Sequence, residues 1–265
     1  MDEARKAVLS ELAAMLSASW RDPGNPVTVD PVFYPRDRTE AYFVQDRMHD
    51  KLGQGLVGWK VGATSSKMRE LDGHDDVIPG RIFASRSYFG PRHELPIGQF
   101  PGARAETEFA FRLTATPEPR EARWTAGEME TMMVLHPAIE IIGNRYRLNG
   151  AGKVENSLMT IADNGGGIGF VFGDPVDDWQ DIDFQQHIIT LTVSGGAPAK
   201  NFLGEMRCLP AQAAADLVNH LASRGHALQA GDFISTGAAS VPQPFHVGDH
   251  IHADFGALGA IELAF

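Results

Sequence analysis

From Leu56 onward the chain is a succession of short apolar or alternating runs punctuated by glycine and proline: LVGWKVG, GRIFAS, AETEFAFRL, AIEIIG, GGIGFVFG, HIITLTVSG, GDFISTG and HIHADFGALGAIELAF. Runs this short, bounded by residues that turn the backbone, read as strands. Ahead of them the pattern is helical. Residues 2 to about 18 set Val8, Leu9, Leu12, Met15 and Leu16 on one helical face before the breaker RDPGNPVTVDP. A second helix starts at Asp37, where Asp37 and Glu40 have capping-box spacing, and runs through Ala41, Val44, Met48 and Leu52 to Gly53. Two more helices interrupt the strands, one from Thr125 and Glu128 through Met129, Met132 and Met133, the other from Pro210 to Leu221. The chain therefore reads as α+β, with a helical N-terminal segment over residues 1–55 and a rolled, barrel-like sheet domain over 56–265.

Composition removes several functional classes. A net charge of −11, with Lys and Arg scattered, gives a field that repels nucleic acid and anionic lipid. One cysteine, Cys208, cannot form an internal disulfide and leaves too few thiolates for a zinc ribbon or an iron–sulfur site. No stretch approaches the roughly 18 apolar residues of a membrane helix, and the first residues alternate charge with apolar side chains, unlike a signal sequence. The expectation is a cytoplasmic protein without membrane or nucleic-acid partners.

Three acids stand out. In Arg104-Ala105-Glu106-Thr107-Glu108-Phe109-Ala110-Phe111 the two-residue period sends Glu106 and Glu108 to one face, roughly 6 to 7 Å apart, and Phe109 and Phe111 to the other. Glu140 interrupts the apolar run Ala138-Ile139-Glu140-Ile141-Ile142, where a lone buried charge would cost several kcal/mol unless paired or bound to metal. An all-oxygen set of this kind suits a hard cation, Mg²⁺ or Mn²⁺. The plainer alternatives are a solvated acidic strand face for Glu106 and Glu108 and a buried ion pair of Glu140 with Arg145 or Lys60. Lys60 lies inside the glycine-flanked strand Gly58-Trp59-Lys60-Val61-Gly62, placed either to meet an anionic substrate or to snorkel from a strand edge. The histidines His246, His250 and His252 lack an HExxH arrangement, and no Lys-Ser/Thr follows the glycines at 165–169, so zinc-protease and P-loop readings are not supported.

Six motifs occur in order: Gly58-Trp59-Lys60-Val61-Gly62-Ala63-Thr64-Ser65, Ala105-Glu106-Thr107-Glu108-Phe109-Ala110-Phe111, Pro137 to Ile142, Ile161-Ala162-Asp163-Asn164, Gly231 to Gly237, and Gly248-Asp249 to Gly256. Together they resemble the 2-keto-4-pentenoate hydratase and 4-oxalocrotonate decarboxylase group of the fumarylacetoacetate hydrolase superfamily, over nearly the whole chain. The resemblance implies a mixed β-roll core, a divalent metal on Glu106, Glu108 and Glu140, and homo-oligomers. It also implies Lys60 as a catalytic and substrate-binding residue, with Asn164, Thr236 and Gly237 at the substrate. The substrate implied is a short unsaturated 2-oxo or 2-hydroxydienoic acid that reacts through a metal-stabilised enolate.

The sequence departs from the group's pattern in three places. Where the group carries two acids after the lysine strand, Gly73 to Gly80 here matches the first with Asp75 and puts Ile78 at the second; His74 and Asp75 are the candidates for a proton relay. Gly165-Gly166-Gly167 replaces a serine-rich turn and opens local space, which implies a bulkier or differently polar substrate. Gly143-Asn144-Arg145 stands where Asp-Ser-Arg is usual. Hydration is the first reading. Decarboxylation, C–C hydrolysis of an acylpyruvate-like substrate, and a non-catalytic small-molecule-binding role are the alternatives.

Overall fold

The computed structural model describes residues 1–265, with only the backbone of Asp72 described. The chain begins with α1 (Glu3–Arg21), β1 (Val27–Val29) and α2 (Arg38–Leu52), then β2 (Leu56–Gly62), α3 (Ser66–Asp72), β3 (Ile78–Phe83) and the short β4 (Ser87–Phe89) and β5 (Arg92–Glu94). The long pair β6 (Arg104–Leu113) and β7 (Met133–Ile142) encloses α4 (Ala126–Glu130); β8 (Tyr146–Leu148), α5 (Lys153–Ala162), β9 (Gly167–Phe172), β10 (Thr190–Val193) and α6 (Pro210–Ser223) follow. The last strands are β11 (Phe233–Ala238), β12 (Gln243–Pro244), β13 (His250–Asp254) and β14 (Ala260–Ala264).

The main sheet has the order β3-β2-β11-β6-β7-β9-β4, with β12 added beside β6. It is mixed: β11 runs parallel to β2 and antiparallel to β6, and β6 pairs antiparallel with β7 along ten residues. The sheet curls far enough for β3 to touch β9, five places away in the strand order, which is the rolled, half-barrel core expected from the sequence. A smaller sheet, β10-β13-β14-β5, lies against the outside, where β14 meets β7. Phe109 and Phe111 face that outer side as the alternation predicts, packing edge-on against Phe184 and Trp179 respectively.

Local signals explain most element ends. Asp2 and Asp37 cap α1 and α2, accepting from the N–H groups of Arg5 and Glu40. The expected reciprocal bond from Glu40 is redirected: its carboxylate takes the Arg36 N–H and a two-pronged contact from Arg5, a buried charge-assisted pair at 2.7 Å that ties α2 to α1. The capping box at Thr125 and Glu128 forms in full, but the helix it starts ends at Glu130, and Met133 already belongs to β7. Ten-residue pairing with β6 outweighs the local helical spacing of Met129, Met132 and Met133. Two helices went unread in the sequence, α3 and α5; α5 closes on α2 and supports the turn at 164–166 that matters below.

Candidate metal centre

The register of β6 and β7 sets Glu106 directly across from Glu140, and the two-residue period adds Glu108 on the same face. The three carboxylates offer oxygens that all lie within 4.8 Å of one another. They are nearly inaccessible, at 8, 1 and 2% relative exposure for Glu106, Glu108 and Glu140. Burial first, and then the Glu140 charge, push the Glu106 carboxyl up to about 8. Glu108 is raised well above the usual carboxylate range by burial and by Glu140 and Glu106. Such mutual repulsion is the condition a bound cation relieves.

Each acid is held differently. Glu108 Oε2 accepts from the Ser235 hydroxyl and, at 3.1 Å, from the Gly237 N–H. That N–H is free because β11 bulges against β6 between Ser235 and Ala238, with Gly237 at φ +115°. Glu140 Oε1 is buried and, among the described residues, accepts no hydrogen bond; the Lys60 ammonium is 3.7 Å away. An orphaned buried carboxylate oxygen beside two others, with no sulfur or imidazole among them, fits a hard divalent cation and its preference for oxygen. Arg145, the other partner considered for Glu140, is committed elsewhere: its Nε is 2.7 Å from Asp163, and Asp163 also accepts the Arg145 N–H.

Lys60 is buried and threads between glycines. Its ammonium donates to the Gly165 carbonyl, and a Cβ at Gly165, whose φ is +69°, would stand 2.5 Å from Lys60 Cε. A Cβ at Gly167 would stand 2.4 Å from Glu140 Oε1. The space at Gly165 and Gly167 is thus taken by the protein's own lysine and glutamate, whereas Gly166 has nothing within 4 Å of its Cβ position and lines an adjoining cavity. Ile78, standing where an acid was expected, packs at the same point: its Cγ2 would lie 3.5 Å from a Cβ on Gly165.

A cavity of about 340 Å³ opens on this group, lined by Lys60, the three glutamates and Gly237, among others. Of the remaining residues singled out, Thr236 is fully buried and donates to the Phe109 carbonyl at 2.6 Å, behind the wall. Asn164 uses its amide to pair with both backbone groups of Arg81, at 2.7 and 2.8 Å, holding the 164–166 turn to β3. His74 contacts Ser157, and Asp75 pairs with Arg38 at 2.7 Å with its side chain 78% exposed; neither lines the cavity. Cys208 does line it, but burial pushes its thiol up to about 11 and it donates to the Thr236 carbonyl, so it is not a poised nucleophile.

Arg104 was missed. It opens β6 on the same face as Glu106 and Glu108, and it lines both this cavity and an adjoining one of about 570 Å³. The same alternation that selected the two glutamates contained that signal.

Comparison with known proteins agrees with the geometry. No family model matches the chain. It is 28% identical over 234 residues, 86% of each chain, to a 2-keto-4-pentenoate hydratase of Paraburkholderia phymatum. It is 29% identical over 221 residues, 80% of this chain and 79% of the other, to a 4-oxalocrotonate decarboxylase of Pseudomonas sp.. Among solved structures, the 4-oxalocrotonate decarboxylase of Pseudomonas putida G7, complexed with magnesium and adipate, superposes with a TM-score of 0.82 over 98% of both chains at 22% identity. A Yersinia pestis protein assigned to the fumarylacetoacetate hydrolase family superposes at 0.54, over 78% of this chain and 91% of that one, at 13% identity. In sequence the chain is similar to 2-keto-4-pentenoate hydratases and 4-oxalocrotonate decarboxylases, and in fold to a 4-oxalocrotonate decarboxylase.

Proposed function

We propose that the protein is a divalent-metal-dependent lyase acting on a short unsaturated 2-oxo or 2-hydroxydienoic acid, with hydration the first reading. The observation that carries it is the set of three buried carboxylates within 4.8 Å, one oxygen of Glu140 orphaned and Lys60 3.7 Å from it, lining a cavity sized for a small acid. Glu106, Glu108 and Glu140 hold the cation, Mg²⁺ or Mn²⁺, which when bound supplies Lewis acidity toward negative charge developing on substrate oxygen. Lys60, fixed by Gly165 and Glu140, presents its ammonium to the acid head of the substrate, neutralising charge and carrying a proton. Gly237 and Ala238 line the cavity beside the carboxylates, with the Gly237 N–H donating to Glu108. His74 and Asp75 receive no step in this reading, and homo-oligomers in the cytoplasm remain part of it.

One observation favours decarboxylation as the second reading. Among the described residues lining the cavity there is no histidine and no carboxylate beyond the three glutamates, and Ile78 rather than an acid stands beside Lys60. Hydration needs a group to activate water, whereas loss of CO₂ needs only a sink for the electrons. The test strips the protein of metal, restores Mg²⁺ or Mn²⁺, and follows 2-hydroxypenta-2,4-dienoate and 4-oxalocrotonate with product identification. Metal-dependent formation of a hydroxy-oxo acid supports hydration and release of CO₂ supports decarboxylation. Turnover that persists in a folded Glu140→Gln variant would sink the assigned centre.

A further inference from the structure

Three successive residues, Asn164, Gly165 and Gly166, take left-handed backbone, with φ of +57°, +69° and +81°. Asparagine tolerates this region better than most residues that carry a side chain. β3 ends the strand order of the main sheet, and there the Asn164 amide meets both backbone groups of Arg81 as a neighbouring strand would. It accepts from the Arg81 N–H at 2.7 Å and donates to the Arg81 carbonyl at 2.8 Å. Arg81 follows Gly80, which stands opposite Lys60 in the β2–β3 register. A Cβ at Gly80 would lie 3.1 Å from Lys60 Cε and 2.3 Å from the Asn164 carbonyl oxygen, and a Cβ at Gly165 would lie 2.5 Å from the same Cε. The lysine stem therefore passes through a slot with β3 on one side and the 164–166 turn on the other. The Asn164 side chain joins those two sides one residue from Gly80, and the next carbonyl in the turn, that of Gly165, accepts from the Lys60 ammonium.

Asn164 is buried and lines neither cavity beside the glutamates. The same two-bond clamp recurs at Asn201 on Ile189 and at Asn219 on Trp124, both outside the lining of the metal cavity. It is a fastening used more than once in this chain, and at Asn164 it closes on a lysine. Gln45 also bridges the Pro79 and Ile161 carbonyls from α2, at 2.9 Å each, so the two segments stay joined when Asn164 loses its amide.

We propose that Asn164 is a positioning residue of the reaction: by clamping the left-handed turn to Arg81 it closes the slot around Lys60 and aims the Gly165 carbonyl at the lysine ammonium. The inference rests on the reading of Lys60 as the group that meets the acid head of the substrate. Turnover then depends on a side chain that touches neither substrate nor metal, because a displacement of about 1 Å in a reacting group costs on the order of 10²-fold in rate.

The test uses the full-length, Mg²⁺-loaded protein and whichever of 2-hydroxypenta-2,4-dienoate and 4-oxalocrotonate it turns over. Asn164→Gly keeps the left-handed backbone and removes both bonds; Asn219→Ala removes the matching clamp far from the lysine. The expected result is a fall in kcat of about 10-fold to 100-fold in Asn164→Gly, with Mg²⁺ affinity by calorimetry held within about twofold and turnover retained in Asn219→Ala. In a Lys60→Met background, followed at high enzyme concentration, adding Asn164→Gly should change turnover by less than about twofold, since the two residues act as one unit. Full turnover in Asn164→Gly overturns the proposal. So does a loss that multiplies in full on top of Lys60→Met, or one that falls in step with Mg²⁺ affinity, either of which would make Asn164 a general support of the fold or of the metal centre. If Lys60→Met lowers turnover and Asn164→Gly does not, the proposal fails while the reading of Lys60 stands. If Lys60→Met has no effect, or wild type turns over neither acid, that reading fails and the proposal with it.

Discussion

The Lys60 ammonium lies 3.7 Å from Glu140 Oε1, and that oxygen accepts no hydrogen bond among the described residues. The contact is a loose, buried ion pair at the edge of a carboxylate cluster, with the lysine's firm hydrogen bond going to Gly165 instead. A cation so placed serves the substrate and competes with a metal for Glu140.

Lys60→Met keeps the stem and removes the charge. Turnover of the dienoate substrate is expected to fall by about 10²-fold to 10⁴-fold, the range for loss of a proton-transferring group. Mg²⁺ affinity, measured by calorimetry on the same variant, should hold or rise, since a competing positive charge is gone. Weaker Mg²⁺ binding with turnover retained would make Lys60 a metal-site support instead.

Gly165→Ala separates seating of the lysine from backbone strain. The new Cβ would stand 2.5 Å from Lys60 Cε at a backbone with φ +69°, while Gly150 has the same φ and nothing within 4 Å of its Cβ position. Both variants carry the left-handed penalty of about 1 kcal/mol. The expectation is that Gly165→Ala loses at least about tenfold in kcat while Gly150→Ala retains turnover, with both followed by urea denaturation. Equal activities in the two would show that Lys60 does not depend on that glycine.

The sequence made the centre legible because Glu140 was chemically out of place in an apolar run, and because the strand period paired Glu106 with Glu108 without further information. Arg104 obeyed the same period but looked like an ordinary surface residue, since only tertiary structure brings a second cavity to its side. Asn164 and Thr236 were read as substrate contacts, yet their side chains are spent on the Arg81 and Phe109 backbone, partners 83 and 127 residues away that no local pattern reveals. The helix α3 is only seven residues long, too short for a periodic signal, and α5 is preceded by Gly152, a cap without a side chain, whose N–H is met by Glu155.

Asp163→Ala tests the pair that kept Arg145 from Glu140. Both side chains are buried, at 0 and 4% side-chain exposure, and Asp163 receives two Arg145 groups. Removing it strands a buried guanidinium, so chemical denaturation should show a loss of about 3 to 5 kcal/mol. Arg145→Met with Asp163→Leu should recover much of that loss, and failure to recover any would assign the cost to packing at Asp163 itself.

The pH dependence of the metal-free protein follows from Glu106. Burial and Glu140 lift its carboxyl from 4.5 to about 8 in the folded state. Between those values the folded protein holds a proton that the unfolded chain has released, so stability falls as pH rises through the window and levels off above about 8. Below 4.5 both states are protonated and the contribution vanishes. Thermal melts of metal-free wild type from pH 5 to 8.5 should therefore show a downward slope that is shallower in Glu106→Gln. Divalent cation should raise Tm most at the alkaline end, where its ligands are ionised and repel one another, with proton release on binding that shrinks toward pH 8. A slope unchanged in Glu106→Gln would place the titrating group elsewhere. A Tm gain from Mg²⁺ that is uniform from pH 5 to 8.5 would separate cation binding from ionisation of these three carboxylates.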